Sequence, residues 1–140
     1  MKKLLLTLFV LSAASAHASH VREAISMTCT YQDLTVKNSR PKRSACSWTE
    51  WESMHVYDKQ SGGYVAGNGE EYRLPGRKTV TFSYEAFMKA AESAPETGEW
   101  THSQKQMNGK AYRTTERQIQ GKRWTCHRSA TEELCVQPAF

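Results

Sequence analysis

The chain has 140 residues, 39% hydrophobic and 24% charged, with 19 Lys and Arg against 14 Asp and Glu. That bounds it to one ordinary domain and excludes a multi-domain machine. Its longest apolar run, residues 4–10, falls short of the ~20 residues that a bilayer span needs, so a polytopic membrane protein is excluded as well.

The N-terminus follows the order of an export signal. Lys2 and Lys3 form a basic start, residues 4–14 an apolar stretch, and Ala16-His17-Ala18 an A-x-A site before Ser19. Residues 1–18 are expected to be a cleaved signal peptide and residues 19–140 a single mature domain, delivered to the periplasm or secreted. Cleavage removes Lys2 and Lys3 and leaves a net charge of +3. No cysteine lies near the cleavage site, which argues against a lipid anchor.

All four cysteines, Cys29, Cys46, Cys126 and Cys135, survive cleavage, and an even number in an exported chain reads as two disulfides. Cys29–Cys46 and Cys126–Cys135 are the favoured pairs, because each closes around one local turn. The chain has no C-x-x-C knuckle, so neither a zinc site nor a thioredoxin-type redox role is expected.

Along the chain, Met27, Cys29 and Tyr31 alternate as in a strand, and a basic turn over residues 38–44 leads to a second strand around residues 46–57. Gly62, Gly63, Gly67 and Gly69 crowd what reads as one loop; no Gly-Lys-Ser/Thr follows, so it is not a phosphate loop. Val80 and Phe82 suggest a short strand. Ser83 is then a candidate N-cap, and Tyr84, Phe87, Met88 and Ala91 fall at i, i+3, i+4 and i+7, which predicts an amphipathic helix stopped by Pro95. Residues 99–129 carry two turn signals, Asn108-Gly109 and Gln120-Gly121, and so predict a three-strand meander. Two-residue turns set Trp100 opposite Arg117 and Arg117 opposite Trp124, with Arg117 stacked between the indoles and this face, shared by Ala111, Ile119 and Cys126, packed on the helix. The expected fold is therefore α+β: an antiparallel sheet with one principal helix and two disulfides.

The other face of the meander carries Thr101, Ser103, Lys105, Tyr112, Thr114, Glu116, Arg123, Thr125 and His127. Glu116 faces Thr125, which sets His127 on the next diagonal. A carboxylate as base, an imidazole as acid and Lys105 or Arg123 against phosphate charge suit RNA cleavage. In that arrangement the sheet is similar to those of small secreted microbial ribonucleases, a resemblance that implies neither metal nor cofactor. The rest of the sequence lacks a G-x-S-x-G elbow, an H-E-x-x-H pair and any other catalytic or cofactor signature. Residues 99–128 hold seven basic and two acidic side chains, a local net charge of +5. The primary expectation is thus a non-enzymatic binding module, an inhibitor or immunity-type protein that uses Lys105, Tyr112 and Arg123 against an acidic exported protein. A metal-independent ribonuclease built on Glu116 and His127 is the alternative, and only it takes RNA as a partner.

Overall fold

Alternation of apolar and polar side chains, rather than helical spacing, organises this chain. The computed structural model describes residues 18–21, 23–53, 55–94 and 98–137, so the expected leader lies outside the described residues as far as residue 17. Among the described residues are eleven strands: β1 (Ala18–Val21), β2 (Ile25–Asp33), β3 (Lys42–Ser53), β4 (Val56–Asp58), β5 (Gly63–Leu74), β6 (Lys78–Lys89), β7 (Trp100–His102), β8 (Gln106–Met107), β9 (Tyr112–Ile119), β10 (Lys122–Ser129) and β11 (Glu132–Gln137). They form one antiparallel sheet in the order β7-β6-β5-β3-β2-β11-β10-β9, with β1 beside β3, β4 beside β5 and β8 beside β6.

The sheet curls into a half-barrel. Phe82 of β6 touches the rings of Tyr112 and His127, which stand on β9 and β10 at the far end of the strand order. The face carrying these rings is therefore concave, and it holds the core: Cys29, Cys46, Tyr72, Leu74, Val80, Phe82, Met107, Leu134 and Val136, flanked by Met27, Tyr31, Trp48 and Tyr112. Asn108 fastens the curl. Its backbone N–H donates to the Thr81 carbonyl at 2.7 Å, its side-chain oxygen accepts from the Thr81 N–H at 2.9 Å, and its amide donates to Glu132 of β11 at 2.8 Å.

The α+β expectation is overturned: among the described residues the one helical element is a three-residue 3₁₀ turn, Pro75–Arg77. Where a principal helix was expected, β6 pairs residue for residue with β5 along its whole length. Tyr84, Phe87 and Met88 satisfy a helical template by coincidence. The longer pattern is period two, with Val80, Phe82, Ala86 and Met88 buried between less buried neighbours. Its threonines, valine and aromatics also favour a pleated surface. Ser83 is consequently a strand residue facing Gly69, not a cap.

Of the four glycines expected in one loop, Gly62 sits in a turn, with φ 72°, whereas Gly63, Gly67 and Gly69 lie on β5. On β5 a Cβ at Gly69 would lie 2.5 Å from the Phe82 carbonyl oxygen and 2.7 Å from the Trp51 ring, so only a bare backbone lets β6 and the indole approach this closely. Composition signalled a turn where close approach was the reason for the glycines.

Both two-residue turns of the meander form, but only the second joins the two strands expected of it. Arg117 pairs with Trp124 and Glu116 with Thr125. Asn108 and Gly109 adopt positive φ and bring Met107 against Lys110, yet the preceding arm runs along β6, with Trp100 opposite Met88 and Met107 opposite Phe82. Trp100 thus never meets Arg117 and packs on His55. A two-residue turn fixes local register but not which strand its first arm joins, and β6 offered a free apolar edge.

The disulfides join Cys29 to Cys46 and Cys126 to Cys135, the favoured pairs, and fit an oxidising compartment. The first bridges β2 and β3 on the concave face. The second links directly opposed residues of β10 and β11 and, with Trp124, makes a small cluster on the convex side. No helix among the described residues is long and apolar enough to cross a membrane.

Candidate binding surfaces

Side-chain parity sorts the polar residues onto the two faces of the sheet. On the concave face Phe82 forms an aromatic floor, with Tyr72 at 5.7 Å, Tyr112 at 5.1 Å and His127 at 4.8 Å between ring centroids, each edge-on. Beyond this floor β3 and β5 bring Glu50 opposite Glu70 and Glu52 opposite Asn68. These residues, with Tyr84 and Lys105, line a cleft of about 280 Å³. Like charges directly opposed across a strand pair repel. Lys105 offsets part of this by reaching Glu70 at 3.3 Å.

The expected site residues fall on this concave side, though each is already held. The His127 ring accepts or donates at Nδ1 to the Thr114 hydroxyl at 2.9 Å. Burial pushes its pKa below the ordinary histidine value, with Lys105 acting the same way and Glu70 and Glu116 opposing. Glu116 accepts from the Arg123 guanidinium and from the Thr125 hydroxyl, and these bonds hold its carboxyl below the usual range. Tyr112 is half-buried against Phe82 and His127. Lys105 precedes β8, not a meander strand, and is engaged with Glu70; Arg123 is exposed and engaged with Glu116. The polar face expected to be solvated is therefore continuous with the core at its Tyr112 and His127 end.

These electrostatics run against acid–base cleavage of RNA. A base needs proton affinity, whereas the bonds from Arg123 and Thr125 lower that of Glu116; an acid must hold its proton, whereas burial disfavours the charged form of His127.

The convex face has the opposite character. On β3, β9 and β10 it presents Arg43, Arg113, Arg117, Lys122 and Arg128, and from β11 a single carboxylate, Glu133. Glu133 is 4% exposed. It accepts two bonds from Arg117, at 3.1 and 3.0 Å, and one from Arg128 at 3.3 Å. Arg43 stands 5.5 Å over the Trp124 ring, the cation–π contact that had been expected of Arg117. Ala111 and Ile119, expected to pack on a helix, are exposed. Cys126, Glu133 and Cys135 lie close enough to group around an ion, but both sulfurs are spent in their disulfide.

The sequence reading missed the Glu50, Glu52 and Glu70 row and the Glu133 pairs. Period two through Trp48, Glu50 and Glu52 and through Asn68, Glu70 and Tyr72 carries the first; nothing local signals the second, which depends on β11 lying beside β10. No known protein family, curated protein or solved structure matches the chain.

Proposed function

We propose that this is a small exported, non-enzymatic binding module, an inhibitor or immunity-type protein that covers an acidic surface of another periplasmic or secreted protein. The observation that carries this reading is the part of the convex face formed by β3, β9, β10 and β11: five cations against one buried carboxylate that two of them already neutralise, with the other carboxylates of that face, Glu71 and Glu85, on β5 and β6. Such a face focuses positive potential, steers an acidic partner and leaves the concave side to the core. Two disulfides suit the same compartment as the partner. The RNA-cleaving alternative receives no support from the Glu116 and His127 environments.

The test is capture of exported proteins by the immobilised oxidised protein and by its Arg43→Glu/Arg113→Glu variant, across a salt gradient. Acidic proteins that bind the wild type, elute with salt and are lost in the variant are the expected outcome. Capture indifferent to both salt and charge reversal refutes the reading.

A further inference from the structure

We infer that β9 is the docking edge, and that an extended acidic segment of the partner adds to it as a further strand. This deepens the acidic-partner reading and rests on it. Three observations converge on β9. It ends the strand order, and among the described residues no strand pairs with its outer edge. All its residues from Arg113 to Ile119 are exposed, and its register with β10 runs unbroken over all eight residues, with no proline or bulge to blunt it.

The turn geometry tells which backbone groups are open. Gln120 and Gly121 both have positive φ, 51° and 75°, the pattern of a two-residue type I′ turn. Ile119 and Lys122, which flank such a turn, form a hydrogen-bonded pair, and bonding then alternates. Arg117, Thr115 and Arg113 spend their N–H and C=O groups on β10. Tyr112, Thr114, Glu116 and Gln118 therefore aim theirs outward, with successive open residues about 7 Å apart along the strand. That is a vacant ladder ready for strand addition.

Side chains then choose the occupant. An added strand would set its convex-facing residues opposite Arg113, Thr115 and Arg117, with Arg128 directly behind Arg113 on β10. Acidic residues at alternate positions complement this row. A second copy of the chain does not in either mid-strand register: two-fold pairing centred on Thr115 opposes Arg113 to Arg117 of the copy, and pairing centred on Glu116 opposes the two Glu116 carboxylates.

The probe is an eight-residue peptide of alternating Glu and Thr, with a proline-interrupted acidic peptide and a Lys-for-Glu peptide beside it. Amide hydrogen exchange is followed by NMR on the oxidised protein. The Glu–Thr peptide should slow exchange at Thr114, Glu116 and Gln118 at least tenfold at saturation, and the other two should not. Gln118→Pro, which removes an outward N–H and none of the bonds to β10, should weaken its binding tenfold or more; should that variant fail to fold, the wild-type exchange data decide alone. Acidic peptide that binds while these amides exchange as in the free protein overturns strand addition and leaves the acidic-partner reading standing. No binding of either acidic peptide overturns both.

Discussion

Glu133→Gln should make the protein less stable and at the same time a tighter binder of acidic partners. The substitution keeps the shape of the side chain and removes its charge, so no cavity confuses the result. Charge-assisted hydrogen bonds contribute about 1.5–3 kcal/mol each where both ends are buried. Here the carboxylate end is buried, whereas the Arg117 and Arg128 side chains are 43% and 54% exposed. Solvent screens such pairs and rehydrates the released guanidinium, which leaves about 1 kcal/mol for the bidentate Arg117 contact and less for the longer Arg128 contact. The glutamine also leaves two neighbouring arginines without their shared counter-charge, which brings the expected loss to about 2 kcal/mol.

Urea unfolding of the oxidised protein measures this loss, and a double-mutant cycle with Arg117→Met isolates the pair, with a coupling of about 1 kcal/mol expected. The same variant frees both arginines for a partner, so affinity for an acidic ligand should rise severalfold and its salt dependence should steepen. A stability change under about 0.5 kcal/mol, the range of ordinary surface substitutions, would refute the argument that Glu133 neutralises this face.

Gly69→Ala should destabilise by about 1–3 kcal/mol in thermal melting, because the new Cβ collides with the Phe82 carbonyl and the Trp51 ring; an unchanged midpoint means that β5 and β6 are not this close. His127 should make stability depend on pH. Its folded pKa is depressed by burial, so the unfolded chain binds more protons, and stability present above the ordinary histidine value of 6.5 is lost as pH falls from there towards the folded pKa. His127→Gln should flatten that slope in urea titrations between pH 4 and 8. Purified oxidised protein should not cleave labelled RNA without metal between pH 5 and 8; turnover that Glu116→Gln and His127→Ala both abolish would displace the binding reading. Intact mass of the exported protein should match a chain beginning at Ser19 with no titratable thiol.

What could be read from the sequence was whatever lay within one turn. The register of β9 on β10 follows from Gln120-Gly121 alone, and the two disulfides from cysteines that flank single hairpins. What failed was decided by distant partners. Residues 84–91 fit a helical spacing about as well as a strand spacing, and the choice falls to β5, whose glycines let β6 lie against it over twelve residues. The glycines of β5 in turn read as a loop until Trp51, from a different strand, is seen lying against them. For the site, Glu116 and His127 reached the same face as expected, and their neighbours changed the chemistry. Phe82 buries the imidazole and Arg123 claims the carboxylate.

The division of labour between the two faces follows from having a single sheet. A half-barrel buries its main core on the concave side, where Phe82, Met107 and Leu134 are almost wholly enclosed, and only the small Trp124, Cys126 and Cys135 cluster is buried on the convex side. No second layer covers the rest of the convex side, where charged side chains, among them Arg43 over Trp124, face the solvent. Beside β11 five cations do this while the buried Glu133 fixes two of them, Arg117 and Arg128, in place before any partner arrives. The Cys126–Cys135 bridge acts in the same direction. It ties β10 to β11 directly behind β9, so the outermost strand is supported by a cross-linked pair instead of a free hairpin. An edge held in this way loses less conformational freedom on docking, and a modest contact area can then yield a useful affinity.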